Sequence, residues 1–136
     1  MADATVELEW QHTGMVFKGG APGGVATMAD GNGKAAISPV QTLLFSLASC
    51  TASDIVEILG KMRVTFDELR VVVEGDRAPK PPRFYTAIRM RYEVRGLPSD
   101  CRDKLDRAIA LSHEKYCSVL HSLRSDIEFH TDVVLD

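Results

Sequence analysis

Strong charge of one sign, an even set of cysteines, a membrane-length apolar run and internal repeats are all missing from this sequence, and each absence excludes something. The formal net charge is only −3, from 16 basic and 19 acidic residues, so the chain lacks the positive field that a binder of nucleic-acid phosphates uses. Its three cysteines are an odd number, and the start carries no basic stretch leading into an apolar segment and a cleavage site. Both features argue against a secreted disulfide framework and for a reducing cytoplasm, where a cysteine is packing, metal ligand or reagent. The longest uncharged stretch, Ala35 to Ser53, has nineteen residues, but eight of them are Ser, Thr, Gln or Pro. A bilayer-spanning helix rarely carries so many, and the stretch reads as a buried helix with no membrane role. With 136 residues and no repeat, 1–136 is expected to be one domain, and 45% hydrophobic content suffices for a core without disulfide staples.

What is present divides by period. From Thr5 to Ala29 short alternating runs (Val6, Leu8, Trp10; Met15, Phe17; Val25, Met28) are separated by Thr13-Gly14 and by Gly19-Gly20-Ala21-Pro22-Gly23-Gly24, the pattern of an antiparallel meander. The glycine loop has neither the spacing nor the strand-to-helix setting of a phosphate loop and reads as a hairpin turn. Ser38-Pro39-Val40-Gln41 is a helix start, with Ser as cap, Pro in the first helical position and Gln able to reach back. From there to Arg63, Leu43, Leu44, Leu47, Ile55, Ile58, Leu59 and Met62 recur at helical spacing, while Phe45, Ala48, Cys50 and Ala52 leave the middle apolar almost all round. After Thr65 the period becomes two, giving strands over Leu69–Glu74 and Tyr85–Val94 on either side of a proline-rich break. The arginines of this hairpin read as a solvated strand face, because the net charge is acidic and the aromatics lie on the apolar side. A second helical stretch starts at Ser99-Asp100 and continues or re-forms through Leu120, and a strand over Ile127–Leu135 closes the chain.

The order predicts an α+β fold, mainly antiparallel, with a long buried central helix. One other long helix cannot cover a helix apolar on nearly every face, so a homodimer is expected, with Phe45 to Thr51 in its interface. Two cysteines stand out by position. Cys50 lies in the most apolar turn of the long helix with Ser46 and Asp54 one turn to either side, and Cys117 follows Lys115-Tyr116. Each alone is ordinarily an inert small hydrophobe. His113, Cys117 and His121 would share one face of a continuous helix with zinc-like spacing. Cys101, between Asp100 and Asp103, is poorly placed for a thiolate and reads as an exposed bystander. Asp54 either accepts a hydrogen bond or meets solvent.

The segments Ser38-Pro39-Val40-Gln41-Thr42-Leu43-Leu44-Phe45-Ser46-Leu47-Ala48-Ser49-Cys50-Thr51-Ala52-Ser53-Asp54-Ile55-Val56, Lys61-Met62-Arg63 and Ser112-His113-Glu114-Lys115-Tyr116-Cys117-Ser118-Val119 resemble the OsmC/Ohr family over essentially the whole chain. The resemblance implies an intertwined α+β homodimer with two active sites. It also implies thiol-dependent reduction of organic hydroperoxides with no metal, flavin or other cofactor, recharged by an external dithiol. Cys50 matches the family's peroxidatic cysteine and Cys117 its resolving cysteine. A pocket near Leu43 and Leu47 would receive an alkyl tail. The sequence departs from the organic hydroperoxide reductases in lacking any Arg before Arg63 and a Glu soon after Pro39, which places it nearer the OsmC-like branch. Substitute cations are Lys18, Lys34, Lys115, Arg77 and Arg83. The alternative function is an OsmC-like protein that binds a small apolar or thiol ligand in the dimer cleft without turning it over.

Overall fold

The computed structural model describes residues 2–136, which form two compact units, one ending at Leu43 and one running from Leu44 to Asp136. The first is the expected meander: β1 (Glu7–Trp10), β2 (Val16–Gly20) and β3 (Thr27–Asp30), each antiparallel to the next. The glycine loop is its second turn, closed by the Gly24 amide on the Ala21 carbonyl at 2.9 Å with Gly23 at φ 74°. At the end of β3 the buried Asp30 carboxylate accepts the amides of Asn32, Lys34 and Ala35. The Ala35 and Asn32 amides, chiefly, hold it below the usual carboxylate range. The helix α1 (Pro39–Lys61) then starts with a reciprocal cap: Ser38 Oγ accepts the Gln41 amide at 3.2 Å, and Gln41 Oε1 accepts the Ser38 amide at 3.1 Å.

In the second unit α1 buries a single stripe at four-residue spacing, Leu47, Thr51, Ile55 and Leu59. By length and composition the helix could cross a membrane, yet this stripe belongs to the protein's own core. The helix ends where Arg63 turns left-handed at φ 58° and the Val64 amide returns to the Leu59 carbonyl at 2.9 Å, a helix-ending turn more often made with glycine. The second sheet has the order β4 (Glu68–Arg77), β5 (Tyr85–Arg95), β6 (Glu128–Leu135). Along β5 the residues Ile88, Met90, Tyr92 and Val94 are buried at period two. Gly75 on β4 lies where any Cβ would strike the Tyr85 ring and approach Leu44 of α1.

β4 and β5 pair antiparallel, with a bulge at Asp76/Arg77, whereas β5 and β6 pair parallel. The parallel pair follows from the helical crossover between them, since parallel neighbours cannot be joined by a hairpin. Four arginines of this sheet are matched by acids: Arg70 and Arg91 with Glu93, Arg89 with Asp76, and Arg95 with Glu68. They form a neutralised outer face. The crossover contains α2 (Arg102–Leu111), a five-residue π-turn at Ser112–Tyr116 and α3 (Ser118–His121). Along α2, Arg102 and Asp106 form an i,i+4 ion pair at 2.9 Å.

Candidate active site

The site is assembled where α1 passes the π-turn. Cys50 is half-buried on α1, and Cys117 is fully buried at the residue where the π-turn ends. There the backbone leaves the helix (φ −75°, ψ 99°), and Cys117 caps α3, its Sγ accepting the Leu120 amide at 3.3 Å. The fold brings the two sulfurs together: the Cys117 thiol is hydrogen-bonded to Cys50. Burial pushes the Cys117 thiol up, and although the Leu120 amide opposes this, the hydrogen bond to Cys50 and the charges of Cys50 and Asp54 add to it. Cys117 therefore keeps its proton at neutral pH.

A polar cluster surrounds the pair. Ser112, buried at the start of the π-turn, donates to the Asp54 carboxylate at 2.8 Å, tying the Cys117 segment to the turn of α1 after Cys50. Tyr92, fully buried on β5, meets His113 Nε2 at 2.6 Å and is hydrogen-bonded to Thr51. Burial pushes the Tyr92 hydroxyl up to about 12, opposed by the Thr51 hydrogen bond and helped by the charges of Cys117 and Asp54. Burial lowers His113. A neutral imidazole accepting a hydrogen bond from a protonated phenol follows from those two directions.

Thr51, Tyr92 and Ser112 carry no catalytic signature in the sequence. Their signal is a polar residue inside an apolar stripe: Thr51 between Leu47 and Ile55 at helical spacing, Tyr92 between Met90 and Val94 at period two. A buried polar group requires a partner, and each of these has one.

Several expectations change. His113, Cys117 and His121 do not share a helical face, because the π-turn and the extended Cys117 break the helix. His113 Nε2 is engaged by Tyr92, and His121 Nε2 lies 3.0 Å from the His113 carbonyl. Among the described residues no cluster of three or more His, Cys, Asp or Glu could hold a metal. Leu47 is completely buried and lines no open pocket. Of the substitute cations, Arg77 and Arg83 donate to the carbonyls of Arg83 and Ala78 within the β4–β5 loop, and the Lys115 ammonium lies 5.3 Å above the Tyr116 ring. Lys18 and Lys34 are exposed on the first unit. Cys101 is half-buried and not exposed as expected, its thiol 3.6 Å from Asp100 and raised by desolvation and that carboxylate.

The OsmC-like protein family model matches residues 31–132. Protein YhfA of Escherichia coli K12 is 37% identical over 108 residues, covering 78% of this chain and 79% of YhfA. An OsmC-like protein from Mycoplasma pneumoniae shares the fold at a TM-score of 0.82 and 15% identity, over 98% of this chain and 97% of that one. So does an organic hydroperoxide resistance protein OsmC from Legionella pneumophila, at 0.68 and 15%, over 98% of each chain.

Proposed function

Because the chain belongs to the OsmC-like protein family, we propose that it reduces organic hydroperoxides through Cys50 and Cys117, as a cytoplasmic single-domain homodimer. The observation that carries this reading is the meeting of two thiols from distant parts of the chain, one reachable and one buried with its proton retained. That asymmetry divides the roles. The Cys50 thiolate attacks the distal peroxide oxygen, the O–O bond breaks, and the leaving alkoxide takes a proton to become the alcohol. The Cys117 thiol then attacks the sulfur of the Cys50 sulfenic acid. An S–S bond forms, the S–O bond breaks, and the thiol proton leaves with hydroxide as water. An external dithiol reduces the disulfide and restores both thiols.

One observation favours the second reading, binding without turnover. The carboxylate of Asp54, and not an arginine, is the charged side chain acting on Cys117 beside Cys50. A negative neighbour disfavours a thiolate.

The test is dithiol-dependent consumption of cumene hydroperoxide by wild type, Cys50→Ser and Cys117→Ser. Cys50→Ser is expected to abolish turnover. Cys117→Ser is expected to stop after one equivalent and to leave a sulfenic acid that dimedone traps. Wild type no faster than Cys50→Ser would overturn the peroxidase reading in favour of binding.

A further inference from the structure

Cys50 begins a stripe at four-residue spacing, Cys50, Asp54 and Ile58, along one side of α1, which Met62 continues just past the helix end. Beyond Cys50 this stripe floors a cleft of about 430 Å³, walled by Leu111 from the end of α2 and by Tyr116, the residue before Cys117. The size suits a small organic molecule. Neither cysteine is among its lining residues: Cys50 lies one turn before Asp54 on α1, and the buried Cys117 follows Tyr116 in the chain.

The two ends of the cleft differ in charge. At the outer end Glu57 and Lys61 pair with each other at 3.3 Å on exposed side chains. At the inner end stands Asp54, one helical turn, about 6 Å of rise, from Cys50. Its carboxylate is held by the buried Ser112 hydroxyl. With the outer pair cancelling itself and the Lys115 ammonium 5.3 Å above the ring of the Tyr116 wall, Asp54 is the charged side chain among the lining residues that no ion pair offsets. A compact anion placed there would meet a like charge at short range, with little water between them.

We propose that this cleft receives the organic part of the substrate, and that Asp54 makes the site selective for uncharged alkyl or aryl hydroperoxides over compact anionic ones. The inference rests on the peroxidase reading for its substrate class, while the cleft and its charge stand apart from turnover.

The experiment compares cumene hydroperoxide with its para-carboxylate, an added charge on the same frame, in wild type, Asp54→Asn and Met62→Trp. Asparagine keeps an acceptor for Ser112, and the ratio of kcat/KM for the two peroxides within one variant cancels changes in thiol chemistry. Wild type should prefer the uncharged peroxide by about tenfold or more, and Asp54→Asn should bring the ratio near one. Met62→Trp should raise KM for cumene hydroperoxide. A second readout is independent of turnover: protection of Cys50 from N-ethylmaleimide, followed by mass spectrometry, with cumyl alcohol and its para-carboxylate as ligands. If wild type consumes neither peroxide, the peroxidase reading falls and the protection pattern alone decides the cleft. Equal protection by the two alcohols, or a preference that survives Asp54→Asn, overturns the selectivity. Unchanged KM and protection in Met62→Trp overturn the cleft.

Discussion

At the scale of single residues, the site depends on polar groups that have given up water for one another. The Tyr92–His113 contact at 2.6 Å joins the floor of the sheet to the segment that carries Cys117. Tyr92→Phe keeps the ring's packing but removes the hydroxyl, leaving His113 Nε2 without its partner, at a cost of about 1 kcal/mol or more. Urea denaturation at pH 7.5 would show this as a lower midpoint with an unchanged slope. Two buried groups of the site, His113 and Cys117, set a pH dependence. His113 is lowered by burial, so the stability it contributes is complete above its unfolded value of about 6.5 and is lost as pH falls through the lower folded value. Cys117 is raised by burial, so its contribution is complete below the ordinary thiol value of about 8.5 and is lost as pH rises beyond it. The denaturation midpoint should therefore be highest between these limits. His113→Gln should flatten the decline from pH 6.5 to 5, and Cys117→Ala the decline above pH 8.5. A midpoint still falling equally on both sides in these variants would contradict the assignment. The two cysteines were legible from motif and order, whereas their unequal burial was not. Burial depends on which face of α1 the sheet covers, and periodicity cannot choose a face on a helix apolar almost all round.

At the scale of elements, the features written in local chemistry were the legible ones. The Ser38 and Gln41 cap requires only residues three apart, and both of its hydrogen bonds are present. Ser38→Ala should cost about 1 kcal/mol through the lost cap, and Ser38→Asp should restore most of it, as thermal or urea unfolding would show. The π-turn was not legible. No Gly or Pro lies between Arg102 and Leu123, so nothing local breaks the helix, and the four-residue spacing of His113, Cys117 and His121 looks continuous. Contacts from elsewhere hold the break: Asp54 on Ser112 and Tyr92 on His113. A turn stabilised by partners on α1 and β5 has no signature in its own five residues. The parallel pairing of β6 with β5 was missed for a related reason, since alternation gives a strand but not its direction.

At the scale of the whole molecule, the apolar surface exceeds what the chain covers. On α1 the sheet takes one stripe, while Phe45 and Val56 remain 64% and 50% exposed. In the meander Val6, Leu8 and Val25 are exposed as well. Soluble proteins rarely leave such residues open on a central helix unless something covers them. Covering both sides of an apolar helix by a second copy is the economical solution, because the same patch serves both partners of a two-fold interface. The sequence placed Phe45 to Thr51 in such an interface, but Leu47 and Thr51 of that stretch are buried within the chain's own core, which leaves Phe45 and Val56 as the residues to be covered. The expectation is a homodimer in light scattering and sedimentation at micromolar concentration. Phe45→Asp combined with Val56→Asp should shift the species to monomer and lower the unfolding midpoint, while Lys61→Glu, at the wet end of the same helix, should do neither. A wild-type chain that sediments as a well-folded monomer would remove the dimer, and exposed Phe45 and Val56 would then need another partner.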